Sequence, residues 1–335
     1  MKSFKIVMKI VIISIIITCS AGCISEKKQS MEEADGKIKT AIMLDWSINT
    51  NHTGLYVALE KGYYEEQGLI VEILEMGDPG PAQLIASGKL DFGVSYQEQV
   101  TNALAQGIPL VSLAAVIQHN TSGFASLPES GIDRPRDLEN KRYGGWGSPM
   151  ETAVISALMK QDGADPKSVR QIDIGTADFF SVIGKDIDFA WIFYGWDGIR
   201  AELEKKKMNL LMLREYADFM DYYTPTIITA ENLIANDPEL VRKFIAAVSK
   251  GYDYTIEHPQ EAGEILLKYA PELDEELVFA SQKWLADKYC EDAPQWGWQR
   301  SEVWRNYAEW MFREGLLETQ IETSKAFTND YLPKK

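Results

Sequence analysis

ASGKLDFGVSYQEQVTNALAQGIPLVSLAAVIQ, residues 86–118, decides the fold. Residues 91–95 read as a short apolar strand, 98–106 as a helix and 110–118 as a second strand. A strand, a helix and a strand within so short a span form a βαβ unit. The same alternation precedes it. Strands are expected over 38–44 and 70–75, with helices over 52–61 and 81–87. Pro81 falls in the first turn of its helix, where a missing N–H costs nothing. Strands alternating with helices argue for a mostly parallel sheet flanked by helices.

The pattern then repeats. HNTSGFAS, 119–126, reads as a crossing into a second unit. A helix over 136–140, a strand over 142–145, a helix over 148–161, strands over 169–174 and 187–193, a helix over 198–206 and a strand over 210–213 follow. YYTPTIIT, 222–229, reads as the return crossing, and from 237 onward the pattern is helical. The expected organisation is one lobe from 38–122 plus 226–335 and a second from 123–225. In open α/β sheets, ligands bind beyond the carboxyl ends of the strands. The site is therefore expected in the cleft between lobes, built from strand-to-helix turns.

Those turns contain Asp45-Trp46, Asn49, Asn51-His52, Ser95-Tyr96-Gln97-Glu98, Gln118, Ser122, Trp146-Gly147-Ser148 and Phe193-Tyr194-Gly195-Trp196, with few charges. Aromatic and neutral hydrogen-bonding groups dominate. A flat heteroaromatic ligand suits that mixture, stacked on rings and paired through its nitrogens. A sulfonate or phosphate would need Arg or Lys, and these turns hold neither. The candidate ligand contacts are Trp46, Asn51, His52, Tyr96, Gln97, Gln118, Trp146, Glu151, Trp191 and Tyr194. Each has a structural alternative. Trp46 either stacks on ligand or joins a lobe core. Asn51 and His52 either touch ligand or cap the next helix. Ser148-Pro149-Met150-Glu151 fits a capping box with proline at the first helical position, a role that can coexist with ligand contact for Glu151. The late tryptophans 284, 296, 298, 304 and 310 are spaced like helix packing.

The chain has 335 residues, a formal net charge of −16, 45 % apolar and 25 % charged residues. That is the composition of a folded globular protein. The acidic balance excludes a nucleic-acid footprint, which needs a basic surface. Three cysteines, Cys19, Cys23 and Cys290, cannot build a disulfide framework or a Cys-based zinc site. The three histidines lack metal-ligand spacing, and no GxSxG, P-loop or GxGxxG follows a strand. No catalytic residue, metal or cofactor is implied.

The N-terminus reads as an address. Lys2, Lys5 and Lys9 precede the apolar run IVIISIIIT and the small residues before Cys23. That is a secretory signal over 1–22, too short to be a permanent membrane span. Ala21-Gly22-Cys23 is similar to a lipobox, with Ser20 where that motif prefers leucine. It points to lipidation of Cys23 and an extracytoplasmic location, anchored to the outer face of the cytoplasmic membrane or in the periplasm. Residues 23–37 read as a charged flexible tether. Removing the leader takes three positive charges and leaves −19.

DWSINTNHTGLYVALEKGYYEEQGL (45–69), ASGKLDFGVSYQEQV (86–100) and GIPLVSLAAVIQHNTSGF (107–124) resemble successive blocks of the thiamine-pyrimidine-precursor-binding and pyrimidine-synthase-like family. The resemblance continues through DLENKRYGGWGSPMETAV, WIFYGWDGI, NDPELVRKFIAAVSKGYDYTIEHPQEA and TNDYLP. EKGYYEEQGL and ASGKLDFG are shared with sulfonate- and riboflavin-binding relatives, so they carry the superfamily rather than the ligand. The resemblance implies a bilobal type II periplasmic-binding-protein fold acting as a monomer beside an ABC permease and ATPase. It implies a hydroxymethyl- or formylaminomethyl-aminopyrimidine ligand, stacked at Trp46 and at the 191–194 turn, with polar pairing near Asn51, Tyr96 and Glu151. The same superfamily includes enzymes that make the pyrimidine from pyridoxal phosphate and their own histidine. Their cofactor lysine would fall at Ser95, their histidine at Gln99 and their cysteine-rich run near 220–228. This chain lacks all three carriers.

Overall fold

The computed structural model describes residues 36–175 and 177–334. The leader over 1–22, Cys23 and the tether up to residue 35 lie outside the described residues. The first unit comprises β1 (Ile38–Met43), α1 (Thr53–Glu60), α2 (Tyr63–Glu66), β2 (Leu69–Leu74), α3 (Pro81–Ala86), β3 (Phe92–Ser95), α4 (Gln97–Ala105) and β4 (Leu110–Ala115). The second comprises β5 (Ser122–Ser126), β6 (Arg142–Gly145), α5 (Pro149–Gln161), β7 (Arg170–Asp173), α6 (Phe179–Val182), β8 (Phe189–Phe193), α7 (Ile199–Leu203) and β9 (Asn209–Met212). The chain returns as β10 (Thr226–Ala230). It ends in α8 (Glu231–Asn236), α9 (Pro238–Glu257), α10 (Pro259–Tyr269), α11 (Glu275–Ala286) and α12 (Ser301–Arg313).

Two five-stranded sheets result, ordered β2-β1-β3-β10-β4 and β7-β6-β8-β5-β9. Both are mixed: in each, four strands run the same way, as expected of mostly parallel sheets, and one is reversed. β1 runs parallel to β2 and β3, and β6 parallel to β7 and β8. β10 runs antiparallel to β3 and β4, and β5 antiparallel to β8 and β9. The two antiparallel strands lie in the segments expected as bare crossings. Each follows a passage between sheets and inserts against the run of its new neighbours.

The Asn, Ser and Gly of HNTSGFAS read as turn chemistry, yet all five β5 residues are buried and paired on both edges. Tertiary pairing overrides a weak strand propensity here. Gly123 explains part of the composition. A Cβ there would lie 2.6 Å from the Leu211 carbonyl oxygen, so the backbones approach too closely for a side chain.

Helices cover both faces of each sheet. α9 starts at the Asp237 cap, with Pro238 in its first turn, and stops before Pro259. Its residues Leu240, Phe244, Val248 and Tyr252 recur every fourth position and are buried. Phe244 stacks on Phe92 of β3 at 3.8 Å, and Tyr252 on Trp296 at 4.3 Å. Trp296, Trp304 and Trp310 are fully buried and Trp284 and Trp298 partly so, but only Trp284, Trp304 and Trp310 lie on helices; Trp296 and Trp298 pack from the link between α11 and α12.

α12 joins both cores. Trp304 packs in the cluster under the first sheet, while Tyr307, Trp310 and Met311 pack with Phe124 and Phe189 under the second. The two crossings are bonded to each other: the Val116 N–H donates to the Pro225 carbonyl at 2.9 Å. The Asn120 side-chain amide donates to the Met220 carbonyl at 2.8 Å. The sheets are therefore connected at one edge by two crossings and one shared helix.

Candidate ligand-binding cleft

The parallel pairing of β1 with β3 places their C-terminal turns side by side. The Tyr96 hydroxyl donates to the Asp45 main-chain oxygen at 3.3 Å. His52 is buried, and both its ring nitrogens are used within the turn. The Asn49 N–H donates to Nδ1 at 3.3 Å, so Nδ1 carries no proton. Nε2 then holds the hydrogen and donates to the Asp45 carboxylate at 2.7 Å. Asn49 closes the cap by accepting from the Asn51 N–H at 2.9 Å. The Asn51 carbonyl accepts from Tyr252 at 2.7 Å, while its side-chain amide has no bond among the described residues. From this fixed turn Trp46 projects with 49 % of its surface exposed.

The second lobe builds a matching turn from β6 and β8. Glu151 is fully buried in the first turn of α5. Its carboxylate accepts from the Tyr143 hydroxyl at 2.6 Å, the Trp146 N–H at 3.1 and 3.2 Å, and the Ser148 N–H at 2.8 Å. Gly145 leaves the room for this, because a Cβ there would lie 2.3 Å from the Glu151 carboxylate. The anchored loop presents Trp146 with 53 % of its surface exposed. Its ring lies 5.8 Å from that of Trp191, whose indole N–H is buried and unpartnered.

Tyr194 opens a π-helical turn, Tyr194–Gly198, an irregularity frequent at functional sites. Its ring lies 5.2 Å from Trp284 of α11, and its hydroxyl bonds Glu202. Ser281, on the same face of α11, joins the lobes. Its hydroxyl donates to the Gly195 carbonyl. That proton is spent, so the Thr50 hydroxyl donates to Ser281 Oγ, at 2.6 Å. The turn after β1 and the turn after β8 are thus two hydrogen bonds apart.

Gln97 and Gln118 sit elsewhere than the ligand role would need. Gln97 donates to Val303 O at 3.2 Å and accepts from the Tyr223 N–H at 2.9 Å. Gln118 donates to Trp298 O at 3.0 Å. Both side chains are buried: Gln97 ties the start of α4 to α12 and the return crossing, and Gln118 holds the link that precedes α12.

Two carboxyl groups were not among the candidate contacts, Glu98 although it stands in one of the turns read from the sequence, and Asp197. Glu98 opens α4 and has no hydrogen-bond partner among the described residues. Burial, and then the Glu151 charge across the cleft, push it up to about 7. Its charge also bears on Tyr222 and Tyr307, so it lies between the first lobe and the second core. Asp197, inside the π-helical turn, is pushed up to about 6 by burial and then by Asp178, against Arg200 and the Phe193 N–H. The π-helical turn could not be seen in GWDG, and a Glu at a helix start reads as a dipole partner. Among the described residues no group of three or more His, Cys, Asp or Glu could hold a metal ion, and no helix is long and apolar enough to cross a membrane.

The sequence pattern described as NMT1/THI5 like matches residues 49–262, which begin inside the turn after β1, just past Trp46, and include the turn after β3 and all of the second lobe. The chain belongs to the NMT1/THI5-like family. Among its relatives is a formylaminopyrimidine-binding protein of Halalkalibacterium halodurans, 29 % identical over 98 % of this chain and 99 % of that protein. A 4-amino-5-hydroxymethyl-2-methylpyrimidine phosphate synthase of Legionella pneumophila is 26 % identical over 89 % of this chain and 93 % of the enzyme. Among solved structures, the periplasmic aliphatic sulphonate binding protein SsuA from Escherichia coli superposes with a TM-score of 0.68 at 12 % identity, over 89 % of this chain and 94 % of that one. The NMT1/THI5-like chain thus has the expected bilobal type II periplasmic-binding-protein fold. At the positions where the resemblance puts the synthase lysine and histidine, Ser95 is a buried strand residue and Gln99 an exposed helix residue.

Proposed function

We propose that this protein is a solute receptor of an ABC importer, not an enzyme, and that it captures an aminopyrimidine precursor of thiamine between its lobes. What supports this reading is that each lobe presents a half-exposed indole from a strand-end turn, Trp46 in the first and Trp146 in the second, and that the Glu98 carboxyl has no hydrogen-bond partner among the described residues. Indole faces hold a flat ring. A carboxyl without a cationic partner suits the amidine edge of an aminopyrimidine, which offers a ring nitrogen and an exocyclic amine side by side. The same carboxyl repels a sulfonate. The name of the Halalkalibacterium halodurans relative supports the ligand class, and its match along nearly the whole of both chains supports the same kind of role. The receptor works outside the cytoplasm as a monomer. It is tethered through lipid on Cys23 and delivers its ligand to a permease driven by an ATPase. Ligand bridging both lobes favours the closed population.

Calorimetry and tryptophan quenching test the assignment with hydroxymethyl-aminopyrimidine, formylaminomethyl-aminopyrimidine, thiamine, riboflavin and taurine. Saturable binding of the pyrimidines, with none of taurine, is expected. Tight binding of riboflavin or taurine without the pyrimidines would overturn the ligand class.

A further inference from the structure

The hinge carries a cluster that ligand binding does not use. His119 lies on the first crossing, between β4 and β5. Asp221 lies on the second, between β9 and β10. Asp292 lies on the link from α11 to α12. His119 Nδ1 is 2.6 Å from Asp221 Oδ2, and Nε2 is 3.0 Å from Asp292 Oδ1. Carboxylate oxygens only accept, and a neutral imidazole has a single N–H. Both contacts can be hydrogen bonds only when the ring is an imidazolium.

The surrounding bonds fix each carboxylate from behind. Asp221 Oδ1 accepts from the Asn120 N–H at 2.8 Å. Asp292 Oδ2 pairs with the Arg300 guanidinium at 2.8 Å, and the Arg300 N–H donates to the Tyr223 hydroxyl at 2.9 Å. Arg300 immediately precedes α12, the helix that packs into both cores. The neighbouring charges are otherwise occupied: Glu291 lies between Lys288 at 3.7 Å and Arg214 at 3.8 Å. The ring therefore faces two carboxylates, with one guanidinium behind Asp292.

We propose that His119 is a proton-operated clasp on the interlobe hinge. As an imidazolium it fastens both crossings to the segment leading into α12. Its deprotonation releases the Asp292 side and lets the lobes separate more widely. Asp221 first and Asp292 second hold the imidazolium above the ordinary value of 6.5. The sign follows: the clasp is complete below that ordinary value and is lost as pH rises through the raised one. The hinge is fastened on the acid side of the raised value and loosens as pH climbs through it. The cluster is indifferent to which solute the cleft takes.

The test uses the whole ligand-free protein. Nuclear magnetic resonance follows the His119 ring, and small-angle X-ray scattering follows the radius of gyration, from pH 6 to pH 9. His119 is expected to titrate above the ordinary histidine range, and the radius to grow as it does so. Asp292→Asn, at a half-exposed position that tolerates change, should lower the titration midpoint and give the larger radius at both ends of the range. His119→Gln should also remove the pH dependence. A midpoint at or below the ordinary range, a radius constant with pH in the wild type, or an unaltered radius change in both variants would each overturn the clasp.

Discussion

Tyr143 of β6 donates its hydroxyl to the Glu151 carboxylate at 2.6 Å, with both side chains withdrawn from water. This bond ties the sheet to the loop that presents Trp146. Glu151 is a cap, as its sequence context suggested, but its acceptors reach beyond the helix to the Trp146 N–H. Glu151→Gln replaces one acceptor oxygen with an N–H₂ that faces other donors. Leaving buried donors unmatched costs about 1–3 kcal/mol. The midpoint of thermal unfolding should drop accordingly, and pyrimidine affinity should fall because the Trp146 loop loses its anchor. A variant as stable as the wild type would show that the loop does not depend on this carboxylate.

Trp46 and Trp146 separate binding from stability. Both are about half exposed, so truncation leaves no large cavity, and surface substitutions usually change stability within about 0.5 kcal/mol. Losing a stacked ring removes about 0.5–1.5 kcal/mol beyond the contact area. With that area included, Trp46→Ala and Trp146→Ala should each weaken ligand binding about tenfold or more. Calorimetry reads the affinity and a denaturant titration reads the stability. An unchanged affinity for either variant takes that ring out of the site.

Glu98 predicts an unusual pH dependence. Its folded value is raised from 4.5 to about 7. Between those values the folded chain keeps a proton that the unfolded chain has released. This group therefore makes stability fall as pH rises through that window. Glu98→Gln should be more stable than the wild type at pH 8 and equal to it at pH 4. Asp197, raised from 3.8 to about 6, adds the same sign over a lower window and remains in the variant. An aminopyrimidine should bind more weakly to Glu98→Gln, which loses the charge that pairs with a protonated amidine edge. A stability difference equal at both pH values would refute the buried-carboxyl account.

The βαβ run of 86–118 was legible because its apolar residues change period from strand to helix and back. The strand-end turns were legible for the same reason, and with them Trp46 and Trp146. β5 was hidden, because a strand buried on both faces between two partners needs no alternation, and close packing against Leu211 selects glycine. Gln97 and Gln118 looked like ligand contacts since a turn residue with an amide reads the same whether its partner is solute or backbone. Only the fold reveals Val303, Tyr223 and Trp298 beside them. Glu98 and Asp197 owe their character to burial, which the turn sequence does not disclose. Ser281 lies 86 positions from the carbonyl it binds.

Ser281 yields the last prediction. Its hydroxyl accepts from Thr50 in the first lobe and donates to Gly195 in the second. Ser281→Ala removes both bonds and leaves a buried carbonyl and a buried hydroxyl to find other partners. Each ordinary hydrogen bond contributes about 0.5–1.5 kcal/mol net. The loss falls on the arrangement in which the two turns meet, so the open population should grow and the apparent ligand affinity should fall by the same factor. Small-angle scattering should give a larger radius of gyration for the ligand-free variant, and saturating ligand should restore the wild-type value. Thr50→Val should affect the radius less, because Ser281 keeps its bond to Gly195. If Ser281→Ala lowers the unfolding midpoint while the radius stays that of the wild type, the hydroxyl serves local packing and the lobes are held together by other contacts.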